Sequence, residues 1–154
     1  MRDIRKSTEE YFRESWSVEK YIKKLLPFEL EYMKKNEGIK ALPADVLVQL
    51  VGFSWAPLLI SLCVYKPKKL VMVLNRFYGE KEGAALGEDY IEHINKLQKE
   101  GLINDLPVYR PQPFKTVKDT PAGVFQFLQD NVLEYINEGK KVVIDITGAK
   151  QTMV

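Results

Sequence analysis

This chain has little of what marks the common catalytic and secreted classes. It holds one cysteine and one histidine in 154 residues. A lone Cys63 excludes an intramolecular disulfide and points to a reducing compartment. With His93 as the only histidine, a zinc site built from Cys and His ligands is excluded as well. Charge of one sign is also scarce: 23 Lys and Arg face 21 Asp and Glu, a net +2. Bulk charge this balanced argues neither for nor against nucleic acid, and any anion must be held by local placement; no direct DNA binding is expected. The longest apolar run, Phe53 to Tyr65, is broken by Ser54, Pro57 and Ser61 and is too short to cross a bilayer. Met1-Arg2-Asp3-Ile4-Arg5-Lys6 carries no signal-peptide apolar core. The expectation is a cytoplasmic protein without membrane contact.

Apolar residues make up 45% of the chain, enough for a core. Residues 1–44 read as a helical extension and residues 45–154 as one α/β domain. In the extension, Ser7 and Glu10 have capping-box spacing. Tyr11, Phe12, Ser15, Val18, Ile22 and Leu25 roughly follow a helical stripe, Pro27 suits a helix start, and Gly38 a stop. From residue 45 the pattern changes. Val46 to Val51 is a short apolar strand, Pro57 to Tyr65 a helix ended by Pro67, and Leu70 to Leu74 a second strand. Gly79 to Gly87 reads as a loop and Glu88 to Glu100 as a helix with Tyr90, Ile91, Ile94 and Leu97 inward and Gly101 as its stop. Leu106 to Tyr109 is a weak third strand, followed by an extended segment around Pro111 and Pro113. Thr120 caps and Pro121 opens a helix whose Val124, Phe127, Leu128, Val132 and Tyr135 share one face. Gly139 ends it, and Lys141 to Ile146 is the fourth strand.

Apolar strands without clean alternation, joined by helices, imply a Rossmann-like parallel sheet covered on both faces. Right-handed crossovers make 3-2-1-4 the expected strand order. Strands 1 and 4 then lie side by side with the chain leaving them in opposite directions, the place where such folds bind ligands. The walls of that crevice are Gly52-Phe53-Ser54-Trp55-Ala56-Pro57 and Thr147-Gly148-Ala149-Lys150. Gln151 to Val154 reach about one turn into a further helix, leaving strand 4 a bare edge. A fragment of a longer protein is expected, the alternative being a second chain on that surface.

Neither turn is a standard nucleotide motif. Gly148 is followed by Ala149, with no glycine placed for a Walker loop, and Gly52-Phe53-Ser54 lacks the later glycines of a dinucleotide fingerprint. What Thr147 to Lys150 does offer is backbone N–H groups and a cation at a strand-to-helix turn, a seat for phosphate; the alternative is an ordinary turn with a solvated lysine. Ser54 either caps the following helix or touches a ligand. Trp55 is either core filler or a surface on which a base stacks. Asn75 and Arg76 end strand 2 on the same rim, either as solvated loop residues or as ligand contacts. Asp145 reads as a hydrogen-bond acceptor for neighbouring loop N–H groups in preference to a catalytic acid. His93 reads as a surface or partly packed residue.

Three segments together resemble the CARF domain, the ligand-sensing module of type III CRISPR accessory proteins. Val46 to Pro57 with Leu58-Leu59-Ile60-Ser61-Leu62 looks like its first strand, ligand loop and helix. Pro67-Lys68-Lys69-Leu70-Val71-Met72-Val73 looks like the approach to its second strand. Val143-Ile144-Asp145-Ile146-Thr147-Gly148-Ala149-Lys150 with Met153 looks like its Asp-x-Thr-Gly-x-Lys turn and following methionine. Ala149 departs from the more usual second glycine, and its methyl narrows the approach of a phosphate.

The resemblance implies a homodimer that binds a cyclic oligoadenylate, cyclic tetra-adenylate first among them, across its two-fold axis and controls an effector allosterically. Binding would fall to Gly52, Phe53, Ser54, Trp55, Ala56, Asn75, Arg76, Thr147, Gly148, Ala149 and Lys150. A two-fold interface duplicates each of these, so cations gather at the axis of a nearly neutral chain. Some members of the family cleave their ligand, and Ser54 and Lys150 stand where those ring nucleases carry their assisting groups. Such cleavage needs an in-line 2′-oxygen and a cation, but no metal. No cofactor and no metal are expected. An effector is not seen in this stretch: no arginine precedes His93 at HEPN-ribonuclease spacing, and no carboxylate cluster ending in Glu-x-Lys is read with a supporting strand. Besides sensor and ring nuclease, an unrelated nucleotide-binding regulatory domain remains open.

Overall fold

The computed structural model describes residues 4–14, 16–36, 43–52, 55–75, 79–103, 106, 116–117 and 120–147. Three helices come first: α1 (Ile4–Glu14), α2 (Val18–Lys24) and α3 (Leu26–Asn36). Strand β1 (Val46–Val51) leads to α4 (Trp55–Tyr65), β2 (Lys69–Asn75) and α5 (Gly79–Lys99). The two-residue β3 (Thr116–Val117), α6 (Pro121–Asn131), α7 (Leu133–Asn137) and β4 (Val142–Asp145) complete the described chain.

All six residues of β1 are buried, because parallel neighbours flank it on each side and helices cover both faces. Val46 pairs with Lys69 of β2 and with Val142 of β4, and the register runs on unbroken from there. β3 pairs in parallel with Leu74 and Asn75 at the far end of β2, giving the order β3-β2-β1-β4. β3 is a stub, so three parallel strands make up the body of the sheet. The third strand expected at Leu106 to Tyr109 is not found at Leu106, which is buried outside any strand. The rest of that stretch, and the segment around Pro111 and Pro113, lie outside the described residues.

Period-two alternation sorts the strand side chains onto two cores. Leu47, Val51, Leu70 and Met72 face α4 and α5, with Leu58, Leu59, Leu62, Ile94 and Leu97 buried among them. Val46, Val48, Leu50, Val71 and Val73 face α6 and α7 through Val124, Phe127 and Val132. The inward stripes read for α5 and for the last helical stretch are therefore those that pack. The N-terminal helices join the first core: Tyr21, Ile22, Leu25 and Leu26 are buried there, α2 against α5 and α3 against α4.

Local signals account for several boundaries and miss others. Thr120 caps α6 by accepting from Gly123 N–H at 3.1 Å, with Pro121 in the first turn. Gly101 and Gly139 take φ of +69° and +78° just beyond α5 and α7, where a glycine costs least. The capping box expected at Ser7 is absent, because α1 begins at Ile4 and Ser7 lies inside it. The stripe from Tyr11 to Leu25 is interrupted between α1 and α2, where Ser17 accepts from Lys20 N–H. The Gly79–Gly87 loop is corrected too: α5 starts at Gly79. Glu80, Lys81, Glu82, Ala84, Ala85 and Leu86 favour helix enough to carry Gly83 and Gly87. The last helical stretch breaks at Val132 into α6 and α7.

Candidate functional site

Gln49 of β1 lies opposite Asp145 of β4 in the parallel register. Gly52 and Thr147 follow a few residues later, so the first and last turns leave adjacent strands at the same end of the sheet. α4 departs to one face, whereas α6 and α7 reach β4 from the other. This is the switch point of an open α/β sheet.

Beneath the turns runs a chain of buried polar side chains. The Asp145 carboxylate, 6% exposed, accepts from Thr147 N–H at 2.9 Å and from Thr147 Oγ1 at 2.6 Å through one oxygen. Its other oxygen accepts from Gln49 Nε2 at 3.2 Å. Gln49 is fully buried, also donates to the Leu58 carbonyl at 2.9 Å, and accepts from the Tyr90 hydroxyl. Among the described residues three donors converge on the carboxylate, as the burial of a carboxylate requires. Burial raises the Tyr90 phenol well above its ordinary value, and the nearby Asp145 charge adds to this, so Tyr90 serves as a neutral donor. Asp145 thus does what the sequence suggested, folding the Thr147 turn back over its own carboxylate as an Asx turn.

The other expected site residues divide. Gly52 is buried at the end of β1, and Ala56 packs on the first core at the start of α4. Thr147 is exposed. Trp55 is in place beside the first turn, but its ring serves packing. It meets Tyr21 at 5.2 Å, Tyr11 at 6.4 Å and His93 at 5.6 Å between ring centroids. These contacts are those expected of core filler, and the ring is half-buried, not enclosed. Asn75 ends β2, its side chain outside the described residues, as are Phe53, Ser54, Arg76, Gly148, Ala149 and Lys150 altogether.

Gln49 was not singled out from the sequence, and Tyr90 was read only as an inward residue of its helix. The available signal was one glutamine inside Val46-Leu47-Val48-Gln49-Leu50-Val51, a polar group in a strand with no solvent face. His93 is partly packed, and its Nδ1 is buried with no hydrogen-bond partner among the described residues. Burial depresses its pKa, and Lys96 pushes the same way against weaker opposition from Asp89 and Glu92. Among the described residues no three His, Cys, Asp or Glu side chains gather to hold a metal ion. No helix among them is long and apolar enough to cross a membrane. Comparisons with family models, with curated proteins and with solved structures found no match.

Proposed function

We propose that this chain is a CARF-type sensor domain that binds a cyclic oligoadenylate, cyclic tetra-adenylate in the first instance, across a homodimer axis in the cytoplasm and passes the signal to an effector. The observation that carries the reading is the β1–β4 register. It sets the Gly52 turn beside a Thr147 turn that is braced from below by Asp145. A paired, pre-shaped turn at a switch point suits a phosphodiester. The proposal takes β3 as the rudiment of a full third strand in the 3-2-1-4 order.

A two-fold partner also answers a feature of the second face. Phe125, Leu133, Ile136, Ile144 and Ile146 are large apolar side chains left exposed on α6, α7 and the β4 margin. A second copy would cover part of that area while doubling the phosphate-binding groups.

The test is a thermal-shift panel of cyclic tetra-adenylate, ATP and NAD at one common concentration, about 100 times the Kd for cyclic tetra-adenylate. A sensor gains about 2.7 kcal/mol, which raises Tm by about 5–10 °C for a chain of this size. Equal responses to all three nucleotides would overturn the reading. Incubation with cyclic tetra-adenylate in EDTA reports on cleavage: linear product, lost in Lys150→Ala, would make the chain a metal-independent ring nuclease.

A further inference from the structure

The end of the sheet opposite the two turns carries a separate cavity. α4 begins beside the crevice and ends at Tyr65, whose carbonyl accepts from Ala44 N–H just before β1. There a cleft of about 350 Å³ opens between α3, the last turn of α4 and the turn after α5. That volume falls at the small end of the range for sites that hold small organic ligands.

The walls are apolar: Leu30 and Met33 from α3, Val64 from α4 and Leu102 after α5. Cys63 is buried against this cleft, and burial pushes its thiol up to about 12. It is an uncharged lining group and not a nucleophile. Charge enters through two exposed lysines, Lys34 and Lys66. Among the described residues neither makes an ion pair. The acid that lines the cleft, Glu31, is paired with Lys35 at 2.8 Å. Lys66 is held in place by a φ of +38°, a left-handed conformation that ordinarily disfavours a lysine.

We infer that this cleft binds a small amphipathic carboxylate. Its hydrocarbon part lies against Leu30, Met33, Val64 and Leu102, and its carboxylate meets the ammonium groups of Lys34 and Lys66. An apolar body matches the lining, which a free phosphate or nucleotide would not, and two cations without an ion pair among the described residues select an acid over an alcohol or an amine. The site is independent of the nucleotide reading and stands or falls separately from it.

Methyl-resolved NMR titrations of the full chain with octanoate, octanol and octylamine test this. Octanoate is expected to shift the methyls of Leu30, Met33, Val64 and Leu102 in a saturable manner, octanol to bind more weakly, and octylamine not to bind. The double variant Lys34→Gln with Lys66→Asn, both on exposed side chains, should raise the octanoate Kd about tenfold or more while leaving octanol unchanged. Asparagine keeps the left-handed backbone accessible at residue 66. The inference is overturned if octylamine binds as well as octanoate, if the double variant keeps the octanoate Kd, or if the four methyls do not move. An unchanged Kd with a lowered Tm would assign the lysines to the carbonyl ends of the neighbouring helices instead.

Discussion

Replacing Gln49 by leucine keeps nearly the same volume in β1 but removes every hydrogen bond the amide makes. The Tyr90 hydroxyl, on a side chain only 2% exposed, loses its acceptor. Asp145 loses one of its three donors among the described residues, and the Leu58 carbonyl loses its side-chain donor. An orphaned buried hydroxyl costs about 1–3 kcal/mol, and a hydrogen bond to a charged group contributes about 1.5–3 kcal/mol. Against this, leucine avoids the desolvation of a primary amide. The expected net loss is about 3 kcal/mol, measured as a lower urea midpoint at unchanged m-value. The same reasoning fixes the sign of a coupling. Tyr90→Phe alone leaves the Gln49 oxygen unpaired and costs about 1 kcal/mol. In the Gln49→Leu background it removes the stranded hydroxyl, so the double variant should be less damaged than the sum of the singles by about 1–2 kcal/mol. Additive losses, or a Gln49→Leu protein as stable as the parent, would refute the buried chain as a linked unit.

Three smaller tests address individual elements. Thr120→Ala removes the side-chain cap of α6 and should cost about 1 kcal/mol in thermal unfolding, whereas Thr120→Asp should cost little. Gly139→Ala should cost about 1 kcal/mol through φ alone, because an added Cβ meets nothing within 4 Å; Gly139→Asn should recover most of it. His93 has a folded-state pKa below its ordinary value of 6.5, so near that pH the unfolded chain binds the extra proton. Its contribution is neutral above about pH 6.5 and turns destabilising as pH falls toward the folded pKa. A His93→Gln variant should lose less stability than the parent between neutral pH and pH 5, read from urea midpoints across that range.

The parts of the fold that can be read from the sequence are those with a dense local signal. β1 announces itself because a central parallel strand excludes water from both faces, and its six residues are apolar except for Gln49. α6 does so because Thr120-Pro121 supplies a cap and a first-turn residue together. The start of α5 was hidden for the opposite reason. Glycines at 79, 83 and 87 look like a loop when weighed singly, while the helix formers between them decide the outcome collectively. The turn of Thr147 over Asp145 spans two residues and was foreseeable. The link from Asp145 to Gln49 crosses 96 positions and that from Gln49 to Tyr90 crosses 41. Only the sheet register and the docking of α5 bring these groups together, and no periodicity encodes that. Trp55 followed the same logic: its neighbours Tyr11, Tyr21 and His93 come from helices far away in the chain.

Asp145→Asn probes the same chain from its other end and should behave differently. Asparagine retains one oxygen, which can stay over Thr147 N–H, but its amide group then meets Gln49 Nε2, donor against donor. Relief comes if Gln49 turns its own amide. Its oxygen then accepts from Asn, and its Nε2 faces Tyr90, whose hydroxyl can accept as well as donate. One contact is not rebuilt, because the Leu58 carbonyl now faces an oxygen where it faced a donor at 2.9 Å. The expected loss is about 1–2 kcal/mol, well short of the cost of Asp145→Ala, which removes both Thr147 contacts and strands the Gln49 donor. With the chain inverted, Tyr90 becomes the acceptor, so adding Tyr90→Phe to Asp145→Asn should cost more than the sum of the singles. That is the reverse of its coupling with Gln49→Leu. Urea titrations of the two cycles side by side decide the matter, since a hydroxyl that served packing alone would show the same sign, or none, in both.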